Sequence, residues 1–294
     1  ICTEIIPRNE YFYGGARFRN IRENQCPKAK NLLKATKPDW YFRLKFSQPG
    51  RWFTRLRHPD LGKLRANARD YYHSILGEQR GLVFDIGANV GELTQVFSEM
   101  EMQVVACEPD PANFIELKAR FRHCKNVHTL PIALAKTEGV SDLFSSPLHG
   151  GCLSTLSAKR KSELEQKKEG GHIAFRNGIR VQTKTLDKLI SEYGLPLLIK
   201  IDVEGFEEDV LSALSQMVPF ICFEANLPEF RDETIRCLEM IHALDPDALF
   251  NCSDNETSQL FPQDLDHTGF LSWFERQGGP GFDIICKAGK IRLS

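Results

Sequence analysis

The chain lacks any run near the roughly 18–20 apolar residues that a membrane-spanning helix needs. Its first 30 residues are polar and basic, without the apolar core of a secretory leader. A cytoplasmic protein is the expectation. None of its nine cysteines forms a Cys-x-x-Cys pair, so a zinc knuckle has no basis. Cys107, Cys222 and Cys286 sit inside apolar runs and read as reduced core thiols. No Gly-Lys-Ser/Thr follows a glycine turn, which excludes a P-loop. Internal repeats are absent as well.

Charge of one sign is not in excess overall, since the net charge is −1 over 294 residues. It is unevenly placed. Residues 1–80 hold 17 Lys+Arg against 7 Asp+Glu, and the remainder holds 21 against 32. Five of the six tyrosines and two of the three tryptophans also fall in the first 80. This composition boundary near Gly77–Gly81 separates a basic, aromatic N-terminal extension (1–78), expected to be helical, from a domain at 79–294.

From residue 81 short apolar runs alternate with helical stretches. GLVFDIG, QVVACEP (103–109), NVHTLPIAL (126–134), RVQTKTL (180–186), PLLIKIDVE (196–204) and VPFICFEAN (218–226) read as strands. ALFNC and GFDIICKAG read as the last ones. Helices are expected behind Gly91, from Pro111, over LDKLISEYG, after Gly205 and over DETIRCLEMIHAL (232–244). Such alternation implies an α/β fold with a mostly parallel, doubly wound sheet, and continuous apolar strands imply cover on both faces. Ligands then sit beyond the carboxyl ends of the strands. Two insertions interrupt the pattern. Residues 145–178 include SAKRKSELEQKKEGG, read as an exposed helix whose charges form a solvated face. Residues 252–281 include a short amphipathic helix with Leu265, Phe270, Leu271 and Phe274 available for packing.

The stretch FDIGANVGE (84–92) raises the question of the ligand. A dinucleotide turn needs Gly-x-Gly-x-x-Gly. Counted from Gly87, the later glycine positions hold Asn89 and Glu92. A side chain and a carboxylate would stand where a pyrophosphate needs bare backbone and positive potential. This disfavours NAD and FAD. S-adenosylmethionine carries no phosphate but has a sulfonium, an ammonium and a ribose diol. Asp85 suits its cationic end, Gly87 and Gly91 allow close approach, and Glu108 ends the next strand where it can accept both ribose hydroxyls. In IKIDVEGFE, Lys200, Asp202 and Glu204 share one strand face. Buried charges there require partners. Lys200 reads as an internal ion pair, Asp202 and Glu204 as functional residues at the strand end.

FDIGANVGELT, VACEPDP, PIALA, TKTLDKLI, LIKIDVEGFEEDVL and FICFEAN together resemble the FkbM-type methyltransferase family over roughly residues 81–226. The resemblance implies a Rossmann-like class I methyltransferase fold with S-adenosylmethionine as cofactor. Its acceptors would be hydroxyl oxygens of sugars and secondary metabolites. It implies that Asp85, Gly87, Asn89 and Gly91 line the methionine end, that Glu108 holds the ribose, that Ile132 and Ala133 lie near the adenine, and that Ala88 and Pro109 also bind the cofactor. Asp202 and Glu204 would face cofactor and acceptor.

Methylating a hydroxyl calls for a base. Asp202 or Glu204 is expected in that role, with His149 a weaker choice. A divalent metal on Asp202, Glu204 and Glu224 is an alternative that some class I enzymes suggest. The basic aromatic stretch WYFRLKFSQPGRWFTRLRH (40–58) leaves three alternatives: docking on the acidic domain, an anionic or sugar acceptor, or RNA. A non-catalytic cofactor-binding module is the remaining reading.

Overall fold

The computed structural model describes residues 10–13, 16–19, 41, 45–46, 59–145, 154–166, 178–253, 261–278 and 281–289. The N-terminal part contains an antiparallel hairpin of β1 (Glu10–Tyr13) and β2 (Ala16–Arg19), and then helix α1 (Pro59–Leu76). The hairpin departs from the helical expectation for this extension.

The large sheet comprises β3 (Leu82–Ile86), β4 (Gln103–Cys107), β5 (Val127–Leu130), β10 (Leu198–Ile201), β11 (Phe220–Ala225), β12 (Leu249–Ser253) and β13 (Phe282–Lys287). Their order is β5-β4-β3-β10-β11-β13-β12. Only β13 runs antiparallel to its neighbours. The chain winds outward from β3 to β5 and then returns to β10 on the other side of β3. Adjacent connections diverge there, which opens a crevice at the strands' carboxyl ends.

Alternate strand residues feed two cores. Val83, Val104, Leu198, Phe220 and Ile285 pack against α1, α2 (Glu92–Glu99) and α3 (Pro111–Phe121). Phe84, Val105, Ile199, Ile221 and Ile284 pack on the opposite face. That face is covered by α5 (Leu186–Tyr193), α6 (Glu207–Leu211), α7 (Arg231–Leu244) and α8 (His267–Phe274). Burial on both faces explains the continuous apolar runs. Tyr72 and Leu76 of α1 are fully buried in the first core, although α1 precedes the composition change. Arg65 of α1 pairs with Glu92 of α2 at 2.6 Å, and Lys45 pairs with Glu116 of α3. Basic front and acidic body thus meet through ion pairs. In α8, Phe270 and Phe274 are fully buried, Phe270 against Phe250 and Phe274 against Phe282, and Leu265 bridges to Phe250.

The sequence reading of NVHTLPIAL as one strand is corrected. Pro131 has no N–H to continue a ladder, and the chain divides into β5 and β6 (Ile132–Leu134) in different sheets. A second sheet, ordered β6-β9-β7-β8, joins β6 to β7 (Gly139–Ser145), β8 (Ser154–Thr155) and β9 (Ile179–Lys184). The seven-residue β7 and the two-residue β8 had no sequence expectation. Helix α4 (Ala158–Gln166) follows β8. Cys107, Cys222, Cys237, Cys252 and Cys286 are buried and form no disulfide. Among the described residues no helix is long and apolar enough to cross a membrane.

Candidate functional site

The turn after β3 is knitted to the end of β4. Gly87 and Ala88 both donate their N–H to the Cys107 carbonyl at 3.0 Å. Asn89, at φ 52, donates its N–H to Glu108 Oε2 at 2.7 Å, while its own Oδ1 accepts the Val90 N–H. The expected glycines are present for a reason the sequence did not disclose. A β-carbon on Gly87 would stand 1.8 Å from the Asp202 carbonyl oxygen, and one on Gly91 would stand 2.4 Å from the Phe121 ring. Both have φ above +80. Their bareness admits other parts of this chain. Glu92 is not a free negative charge at the turn either. Burial alone would raise its pKa, but Arg120 and Arg65 hold it down at about 2.

Asp85 is buried just below the rim and accepts a hydrogen bond from Thr94 Oγ1. Burial raises it to about 6, against Thr94 and Lys200, which lower it. Glu108 is 4% exposed. Its Oε2 accepts from Asn89 N and its Oε1 from Asp110 N at 2.8 Å. Burial raises its carboxyl to about 8, and those backbone hydrogen bonds oppose the rise. A carboxylate has about four lone-pair sites. Asn89, Asp110 and the Asn113 side chain use three of them, and the remaining acceptor capacity of Glu108 fits the ribose side of S-adenosylmethionine. Pro109 is half-buried beside it, and Ile132 and Ala133 are buried in β6. Asp110 caps α3 through Oδ1, and its Oδ2 takes Ser145 Oγ at 2.6 Å and Ser154 Oγ at 3.3 Å. The end of β7 and the strand β8 inside the insertion are thereby fastened beside Glu108.

The end of β10 forms the other wall. Lys200 is 2% exposed and donates to Asp283 Oδ1 of β13 at 2.7 Å. This is the internal ion pair that the sequence suggested, with a partner it did not name. Asp202, Glu204 and Glu224 are half-buried. Burial raises the Asp202 pKa, Lys200 lowers it, and Glu204, Asp283 and Asp85 raise it further. Glu224 is pushed well above the usual range by burial and then by Asp202 and Glu204. Beneath the turn, buried Glu207 accepts from Val203 N and Gly205 N at 3.3 and 3.2 Å. Its own pKa rises to about 7, chiefly through burial. Glu204 has φ 54, and Arg160 Nη2 donates to its Oε2 at 3.0 Å and to Asn226 Oδ1 at 3.1 Å.

Arg160 overturns the view of its helix as a purely solvated face: its side chain is 12% exposed. No local signal marks it, because Lys159 and Lys161 flank it in a polar run. Asp283 did carry one. A charge between Phe282 and Ile284 in an apolar strand needs an opposite charge, as Lys200 does. His149 lies outside the described residues, as does the 40–58 stretch apart from Tyr41, Lys45 and Phe46. Among the described residues no three His, Cys, Asp or Glu side chains gather as a metal-binding group.

Known structures with similar folds are distant. A precorrin-6y C5,15-methyltransferase from Geobacter metallireducens is 11% identical, with a TM-score of 0.39 over 76% of this chain and 86% of that one. The plantazolicin methyltransferase BpumL, solved with S-adenosylhomocysteine, is 9% identical, with a TM-score of 0.40 over 86% and 95%. A 16S rRNA N2 G1207 methyltransferase from T. thermophilus is 12% identical, with a TM-score of 0.37 over 76% and 42%. No curated protein sequence matches the chain significantly. The FkbM methyltransferase domain matches residues 85–253, more than half of the sequence and the span that holds both walls of the crevice. The chain belongs to the FkbM methyltransferase family, a class I Rossmann-like fold that takes its methyl group from S-adenosylmethionine.

Proposed function

We propose that this methyltransferase acts on a hydroxyl oxygen of a small hydroxylated acceptor, a sugar or secondary metabolite, with Asp202 as the base. When bound, S-adenosylmethionine supplies a methyl group on a sulfonium, an already activated leaving group. What remains for the chain is alignment and removal of the hydroxyl proton. In this reading Glu108 accepts the ribose hydroxyls, and Asn89, whose N–H fixes Glu108, closes the turn beside it. Ile132 and Ala133 offer apolar surface toward the adenine. Asp85, Gly87, Ala88 and Gly91 shape the methionine end.

One observation carries the choice of base. Of the two carboxylates beyond β10, Glu204 is engaged by Arg160, whereas Asp202 has its proton affinity raised toward neutrality. A base titrating near the working pH is the more effective one. Asp202 also lies at the switch point, its backbone N–H bonded to the Ile86 carbonyl at 2.9 Å. The test is a labelled-methyl screen against hydroxylated metabolites, glycans and RNA. Label on the oxygen of a small hydroxylated compound supports the proposal. Label on RNA, or on nitrogen or carbon only, overturns it.

A further inference from the structure

Arg160 belongs to the insertion, yet it is built into the crevice. Lys159 beside it donates to the Glu229 carbonyl at 2.7 Å, pairs with Glu233 at 2.6 Å and lies 4.5 Å over the Phe230 ring. Phe230 in turn packs so closely on Gly205 that a β-carbon there would stand 2.6 Å from the ring. Thr155 Oγ1 donates to the Glu204 backbone carbonyl at 2.9 Å. Lys159 and Thr155 would suffice to anchor the helix. Arg160 goes further and spans from Glu204 to Asn226, whose Nδ2 holds Glu224 Oε2 at 3.0 Å. Its Nε is buried with no partner among the described residues. Glu204 meanwhile keeps a left-handed backbone, which a non-glycine residue retains only when its surroundings enforce it. The other charged groups around this ion pair are Asp202, Glu207 and Glu224, with Lys200 and Asp283 behind Asp202.

We propose that Arg160 is a positioning residue: it holds Glu204 as an ion pair braced on Asn226, and so leaves Asp202, of the two carboxylates beyond β10, as the one that exchanges a proton when ligand enters. The insertion thereby controls which of two neighbouring carboxylates acts. The proposal rests on the methyltransferase reading. Its test uses the full chain and S-adenosylmethionine, with calorimetry at pH 6 in buffers of different ionisation heat. The quantity read is the number of protons released on binding. Arrival of a cationic ligand drives nearby carboxyls to ionise, and a carboxylate deprived of its cation binds a proton more readily. Arg160→Gln is therefore expected to release more protons than the native protein, by up to about one per site. Arg160→Lys, which keeps the charge, is expected to match the native count. Glu204→Gln in the Arg160→Gln background is expected to restore it. Binding with the native count in Arg160→Gln overturns the proposal alone, as does an Arg160→Lys count that equals that of Arg160→Gln. Failure of the native protein to bind S-adenosylmethionine overturns the reading beneath it as well.

Discussion

The backbone oxygen of Asp202 occupies the place where a β-carbon on Gly87 would point, 1.8 Å away. The loop after β3 and the end of β10 are thus in contact main chain to main chain. A left-handed residue with a β-carbon costs roughly 1–2 kcal/mol before any clash. Gly87→Ala is expected to lose more than that in a denaturant titration, and to lose cofactor binding with it. A Gly87→Ala protein of native stability and affinity would contradict the contact.

Glu108 gives a pH dependence of definite sign. Its carboxyl is raised to about 8 from an ordinary 4.5, so the ligand-free fold holds a proton that the unfolded chain releases earlier. Its contribution to stability is full below about 4.5 and is lost as the pH rises through about 8. Affinity for S-adenosylmethionine runs the opposite way. A diol donating to the ionised carboxylate must first displace that proton. Affinity should rise up to about tenfold per unit between pH 6 and 8 and then level off. Calorimetry across that range should show this slope in the native protein, and weaker, pH-flat binding in Glu108→Gln.

Asp202→Asn removes the proposed proton acceptor while keeping nearly the same shape. Methyl transfer at saturating S-adenosylmethionine is expected to fall by about 10²–10⁴, well beyond any change in cofactor affinity. Single-turnover transfer measured beside calorimetry separates the two. Native turnover in Asp202→Asn would remove Asp202 from the chemistry.

Lys200 and Asp283 form a buried pair, so removing one partner leaves an uncompensated charge. Lys200→Met alone is expected to cost about 3–5 kcal/mol. Lys200→Met with Asp283→Leu should recover most of this, because an apolar pair of similar volume carries no such penalty. Denaturant midpoints for the two single variants and the double variant close the cycle.

Strands β3, β4, β10 and β11 were legible because cover on both faces demands unbroken apolar runs such as LVFDI and FICF. The acidic strand ends were legible too, since Asp85, Glu108 and Asp202 stand where an apolar run stops. What stayed hidden depends on distance along the chain or on weak local pattern. Pro131 looked like an interior residue of one strand, and only the pairing of β6 with β9 reveals two. Strand β7 keeps few apolar residues because just Leu143 and Ser145 point inward to burial. Arg160 reads like any lysine-rich helix residue, and its distinction comes wholly from Glu204 and Asn226, 44 and 66 positions away. The reason for Gly87 and Gly91 was likewise tertiary: one gives way to a carbonyl of β10's end, the other to a phenylalanine of α3.

The antiparallel β13 is synthesised after every other strand of the large sheet, and it carries the counter-charge for Lys200, 83 positions earlier. A growing chain that has already made both glycine turns and the whole β10 rim still lacks the carboxylate that its buried ammonium binds at 2.7 Å. The charge balance of the crevice is therefore settled only after β10 and both glycine turns have been made. Until β13 slots between β11 and β12, the nascent protein carries every residue proposed for cofactor and catalysis without the electrostatic setting in which they work.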